Sequence, residues 1–206
     1  MISAREAMQR LRDGNHRFAS EMGRGREFTS QRRSSVARQE PFAIVLGCSD
    51  SRVPAEIVFD QGVGDLFVIR VAGNIAAPSQ VGSVEFAAEQ FGTRLVVVLG
   101  HSRCGAVQAT IDALREPTGG QSRNLGSIID RVRPPVEALL TTEIKDDPDA
   151  LLRHAIRANI RGSADDLRHG SDVIEELVQK EELLVVGAEY SLETGIVDFF
   201  DGSLAR

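Results

Sequence analysis

Apolar residues along this chain fall into two alternating patterns. Short unbroken runs at Phe42-Ala43-Ile44-Val45-Leu46, Leu66 to Val71, Leu95-Val96-Val97-Val98-Leu99 and Glu181 to Ala188 are rich in aliphatic and β-branched residues, the composition of buried parallel strands. Between them, apolar positions recur every three or four residues and predict helices. The first helix has a capping box, Ser3 with Glu6, and turns Ala4, Ala7, Met8, Leu11 and Phe18 inward, with Asn15 and His16 on its polar face. Pro54 to Phe59, Ser79 to Phe91, the segment opened by Cys104, Asp149 to Arg168, and Ser171 to Val178 predict further helices. Leu125 to Leu140 has helical spacing, but Pro134-Pro135 remove two backbone donors and predict a stop or bend there. In Leu66 to Val71 only Arg70 is charged, which predicts a strand covered on both faces, and Tyr190 to Phe200 supplies an edge strand.

Strands alternating with helices predict an α/β fold: a single domain over residues 1–206 with a largely parallel central sheet of about four strands plus an edge strand, flanked by helices. Residues 1–40 form an N-terminal helical arm with a projecting helix, and residues 41–206 form the α/β core. Glu21 to Arg38 holds five arginines interleaved with glutamates, the pattern of a solvated connection and a short polar helix rather than a binding patch. The 206 residues carry 42% hydrophobic and 26% charged side chains, as soluble globular domains do. A formal charge of −6 argues against a nucleic-acid or anionic-membrane partner. No apolar run approaches the roughly 20 residues that span a bilayer, and the N-terminus lacks the apolar core of a signal peptide. The expectation is a cytoplasmic protein with reduced cysteines.

Two of the predicted strands run directly into polar motifs. The first ends in Gly47-Cys48-Ser49-Asp50-Ser51-Arg52, the third in Gly100-His101-Ser102-Arg103-Cys104-Gly105. Side chains just beyond the carboxyl ends of parallel strands face the ligand crevice, so Cys48, Asp50, Arg52, His101 and Cys104 are expected to converge. Two thiolates and one imidazole are a ligand set that zinc takes in catalytic sites with an open fourth position. The chain has no other cysteines. The alternatives are a disulfide, which a reducing compartment disfavours, or two small buried hydrophobes.

Cys48-Ser49-Asp50-Ser51-Arg52-Val53-Pro54-Ala55-Glu56 together with Gly100-His101-Ser102-Arg103-Cys104-Gly105-Ala106 strongly resembles the β-class carbonic anhydrases. The likeness continues through Asp60 to Asn74 and, more loosely, from the N-terminal helix to Gly187. The resemblance implies a carbonate dehydratase: zinc held by Cys48, His101 and Cys104, and reversible hydration of carbon dioxide to bicarbonate and a proton through a zinc-bound hydroxide. It implies that an Asp50–Arg52 dyad orients or gates the metal, with Asp50 as the fourth ligand in a closed state. Gln61 and Gly105 become candidates for the substrate pocket, although Gln61 stands one position away from the glutamine of the plant-like branch. Arg70 and Tyr190 match two residues of an inhibitory bicarbonate pocket found in some relatives, but Val45 replaces its tryptophan. A homodimer or homotetramer is expected, with the first helix packing on a neighbouring subunit. Competing readings keep the fold but assign a sulfur analogue of carbon dioxide as substrate, or a zinc that serves only folding or redox sensing.

Overall fold

The computed structural model describes residues 1–23, 39–116 and 122–202. The segment Glu21 to Arg38 and the loop Glu116 to Asn124 therefore lie largely outside the described residues. Five strands form one sheet: β1 (Ala43–Cys48), β2 (Leu66–Val71), β3 (Leu95–His101), β4 (Leu184–Tyr190) and β5 (Val197–Asp201). Their order is β2-β1-β3-β4-β5, with the first four parallel and β5 antiparallel to β4. Every residue of β1 and β3 is buried, as expected of central strands covered on both faces.

Helices cover the sheet from two sides. On one face lie α1 (Ala4–Ala19) and the short α2 (Ala55–Val58). The capping box predicted at Ser3 is present, with the Glu6 amide bonded to the Ser3 hydroxyl and the Glu6 carboxylate returning to the Ser3 amide at 3.0 Å. Ala7, Met8 and Leu11 are buried against Val45, Val58, Phe59, Val97 and Leu99. On the other face, α3 (Pro78–Phe91), α4 (Gly105–Arg115), α5 (Arg123–Leu140) and α6 (Pro148–His169) bury a second apolar layer against Ile44, Leu46, Val96 and Val98, and α7 (Asp172–Gln179) adds Ile174. Among the described residues no helix is long and apolar enough to cross a membrane.

Three expectations are corrected. Helix α5 passes through Pro134 and Pro135 without ending. A proline inside a helix costs about 3 kcal/mol, and here the burial of Ile129, Val132 and Val136 on both sides of the pair holds the helix together. Strand β2 is not covered on both faces: it lies at the sheet edge, Leu66, Phe67, Val68 and Val71 are only partly buried, and Arg70 is exposed. Asn15, expected on a polar face, is buried at 5% exposure. Its Nδ2 donates to the carbonyls of Val58 (3.1 Å) and Gly195 (2.8 Å), and its Oδ1 accepts from the Val197 amide (2.8 Å). One carboxamide thereby joins α1 to α2 and to the start of β5.

Candidate metal centre

Cys48 is the last residue of β1 and His101 the last of β3, and these two strands are adjacent and parallel, with Gly47 opposite Leu99. Cys104 caps the N-terminus of α4 three residues later. The fold thus brings together the three residues that strand-end placement predicted: Cys48 Sγ, a His101 ring nitrogen and Cys104 Sγ lie within 4.8 Å of one another. All three are buried, with exposures of 5%, 0% and 1% in chain order. The cysteines are free thiols rather than a disulfide.

The chemistry of this cluster is that of a cation site. His101 Nδ1 lies 2.9 Å from the Ser102 carbonyl oxygen. A carbonyl only accepts, so Nδ1 carries a proton, and in the neutral ring Nε2 is the atom that presents a lone pair. That Nε2 is buried and has no hydrogen-bond partner, an arrangement that a native interior seldom tolerates without a ligand. The two sulfurs bias each other's ionisation. Cys48 is pushed well down, chiefly by the hydrogen bond from the Cys104 thiol, then by the adjacent His101 ring and the amides of Asp50 and Gly73, against its burial. Cys104 is pushed up by that same bond and by burial, against the amides of Val107 and Ala106 at the start of α4. A divalent cation held here by Cys48, His101 and Cys104 would take the place of the proton the sulfurs share and would satisfy both sulfurs and the imidazole. Sulfur and imidazole donors in this number suit zinc.

Asp50 and Arg52 border the cluster. Arg52 donates from Nε to Asp50 Oδ1 (2.9 Å) and from Nη2 to Oδ2 (2.8 Å), and its amide adds a third bond to Oδ1 (3.0 Å). These bonds hold the Asp50 carboxyl well below the usual carboxylate range. Asp50 Oδ2 stands 3.9 Å from His101 Nε2. Arg70 braces the loop from β2, donating to the carbonyls of Cys48 (3.1 Å) and Asp50 (2.6 Å). Both bonds tie Arg70 to the metal loop, while Val45 is fully buried in the core.

Gln61 is buried at 2% exposure, and its side chain is engaged: Nε2 donates to the Phe59 carbonyl (2.7 Å) and Oε1 accepts from Arg10 on α1 (3.2 Å). Gly105 is the first residue of α4, and open space surrounds the position a Cβ would take. Gly73, which closes β2 and as a glycine was expected to let the backbone approach a neighbour closely, has a left-handed backbone (φ 72°) whose amide faces Cys48 and whose carbonyl accepts from Asn159 at 2.8 Å. Sequence reasoning missed Ser102 and Glu193. Ser102 donates to Glu193 Oε2 at 2.8 Å across a separation of 91 residues, which no local pattern signals.

A largely parallel α/β sheet that brings two cysteines and a histidine together at the carboxyl ends of adjacent strands has the donor set of a metalloenzyme. The carbonic anhydrase family model matches residues 43–197. Carbonic anhydrase 2 of Mycobacterium tuberculosis is 36% identical over 194 residues, covering 92% of this chain and 89% of the relative. The carbonic anhydrase of Mycolicibacterium smegmatis is 44% identical over 134 residues, 63% of each chain. Among solved structures, the β-carbonic anhydrase CcaA superposes with a TM-score of 0.73 at 28% identity, over 95% of each chain. A tetrameric β-carbonic anhydrase from Sordaria macrospora shares the fold, with a TM-score of 0.71 at 20% identity over 95% of this chain and 97% of that one. The chain belongs to the β-carbonic anhydrase family of enzymes.

Proposed function

We propose that this enzyme catalyses the zinc-dependent, reversible hydration of carbon dioxide to bicarbonate and a proton. The observation that carries the reading is the unpartnered, fully buried Nε2 of His101 beside two buried thiols. Cys48, His101 and Cys104 hold the metal. When bound, zinc supplies Lewis acidity that brings the ionisation of a water into the neutral range. The group contains three protein ligands among the described residues, which favours an open catalytic site over a closed structural one.

The remaining work falls to the chain. Arg52 holds the Asp50 carboxylate in place through three hydrogen bonds, and an ionised carboxylate accepts hydrogen bonds but donates none. Asp50 Oδ2 therefore takes the proton side of the attacking oxygen and leaves a lone pair aimed at the carbon of the substrate. Arg70 fixes the carbonyls on both sides of Ser49 and so fixes where Asp50 points. Should the Arg52 pair break, Asp50 is the residue placed to close the site as a fourth ligand. Gly105 offers a backbone amide at the start of α4 to an anionic product. Gln61 reaches a substrate only by exchanging its bonds to Phe59 and Arg10.

We also assign the functional unit as a homodimer or homotetramer of single-domain chains, residues 1–206. Among the described residues, strand β2 has a neighbouring strand on one side only. Beside it lie partly buried Phe67, Phe86 at 53% exposure, and a cleft of about 460 Å³ lined by Pro41, Leu66, Phe67 and Val68. Such an apolar edge invites a second copy. Free Cys48 and Cys104 suit the cytoplasm.

The test is the initial rate of carbon dioxide hydration across neutral to alkaline pH on protein of measured zinc content, with its mass determined by sedimentation. A rate that tracks bound zinc and disappears on chelation is the expected result. Zinc-replete protein without activity would overturn the assignment.

A further inference from the structure

The imidazole of His101 needs an external hold, because its ring must keep Nδ1 protonated and Nε2 bare. That hold is the Ser102 carbonyl, so whatever fixes Ser102 fixes the ligand. Ser102 is bonded three times to the connection between β4 and β5. Its amide donates to the Tyr190 carbonyl (2.9 Å), its Oγ accepts from the Leu192 amide (3.0 Å), and the same hydroxyl donates to Glu193 Oε2 (2.8 Å). The next residue, Arg103, adopts a left-handed backbone (φ 56°), a conformation that a non-glycine residue holds only when its surroundings enforce it. Arg103 Nε meets Glu193 Oε1 at 2.8 Å. One carboxylate therefore grips, with separate oxygens, the two residues that lie between the ligands His101 and Cys104.

We infer that Glu193 is a positioning residue for the metal centre, a clamp that sets the His101 imidazole through Ser102 and the entry of Cys104 through Arg103. The inference rests on the zinc reading of the site. The side chains of Glu193 and Arg103 are 43% and 72% exposed, and ion pairs at such exposure add little to global stability. The effect of the clamp is thus expected in the metal rather than in the fold. Groups that hold a metal-ligating histidine from behind typically contribute about 10- to 100-fold in metal affinity or activity.

The experiment compares wild type, Glu193→Ala and Glu193→Gln by zinc affinity against a competing chelator, by the visible bands of the cobalt(II)-substituted protein, and by the melting midpoint of the metal-free form. Glu193→Ala is expected to weaken zinc about 10-fold and to alter the cobalt bands, with the metal-free midpoint unchanged. Glu193→Gln keeps an acceptor for the Ser102 hydroxyl and recovers most of the affinity. Wild-type affinity and cobalt bands in Glu193→Ala would overturn the clamp, as would a loss of affinity accompanied by an equal fall in the metal-free midpoint. Failure of wild type itself to bind zinc would overturn the metal reading, and the clamp with it.

Discussion

Arg52 closes on both oxygens of Asp50, Nε to Oδ1 at 2.9 Å and Nη2 to Oδ2 at 2.8 Å, and leaves Oδ2 3.9 Å from the bare Nε2 of His101. This fork holds a carboxylate beside the group formed by Cys48, His101 and Cys104. Asp50→Ala is expected to keep zinc and lose hydration activity by about 100-fold, the usual scale for a positioned proton-handling group. Arg52→Ala should fall in the same direction, and the double variant should be no worse than Asp50→Ala, since Arg52 acts through Asp50. Steady-state rates and zinc content of the three proteins check this.

The charge of Asp50 gives a second expectation. A carboxyl whose folded pKa is pushed down by Arg52 contributes its stabilisation above the unfolded value of about 3.9 and loses it only as pH falls through the lower, folded value. Asp50 is therefore ionised throughout the neutral and alkaline range, with or without Arg52. The loss in Arg52→Ala should be the same at pH 7 as at pH 8.5. A loss that deepens toward pH 7 would mean that Arg52 controls more than aim: the protonation of Asp50 or its closure onto the metal.

Cys48→Ser, His101→Ala and Cys104→Ser should each sharply weaken zinc binding, because each removes one of three buried donors. A cation that binds the folded state alone also stabilises it by mass action. The wild-type melting midpoint should accordingly rise with free zinc, while the three variants show little response. Full occupancy and activity in any one variant would remove that residue from the ligand set.

Much of the site was legible because its residues sit where strands end. Cys48, Asp50 and Arg52 follow one apolar run, and His101 and Cys104 follow another; two adjacent parallel strands carry both ends to one place. What sequence could not supply was contact across long separations, such as Ser102 with Glu193 or Asn159 with the Gly73 carbonyl. The place of β2 was misread for a related reason: an apolar run reports low polarity but not whether the strand lies at the centre or the edge of the sheet. Proline arithmetic at Pro134-Pro135 failed because local cost was outweighed by tertiary burial of Val132 and Val136. Asn15 was the avoidable error, since it lies four residues beyond Leu11 on the same buried stripe.

Asn15 also makes a stability test. Asn15→Leu keeps the branched outline of the side chain but strips partners from the Val197 amide and from the carbonyls of Val58 and Gly195. Leaving buried polar groups unpaired costs about 1–3 kcal/mol each at most sites, so a loss of at least that size is expected in urea denaturation. His16→Ala, one residue on and exposed, should stay within about 0.5 kcal/mol of wild type.

Two glycines separate clashes that can be relieved from those that cannot. A Cβ on Gly14 would stand 1.8 Å from the carbonyl oxygen of Phe59, where α1 meets the end of α2. Backbone cannot retreat without parting the two elements, so Gly14→Ala should cost more than the roughly 1–3 kcal/mol typical of overpacking. A Cβ on Gly100, next to the ligand His101, would instead meet Ile160 Cδ1 and Cγ1 of α6 at 2.5 and 2.6 Å. These are side-chain atoms that truncation removes. Gly100→Ala should lose stability and zinc affinity together, whereas adding Ile160→Ala should give a double variant more stable than the sum of the two single losses by about 1 kcal/mol or more. Urea denaturation of the four proteins measures that coupling, and strict additivity would mean that the sheet, not Ile160, absorbs the added methyl group.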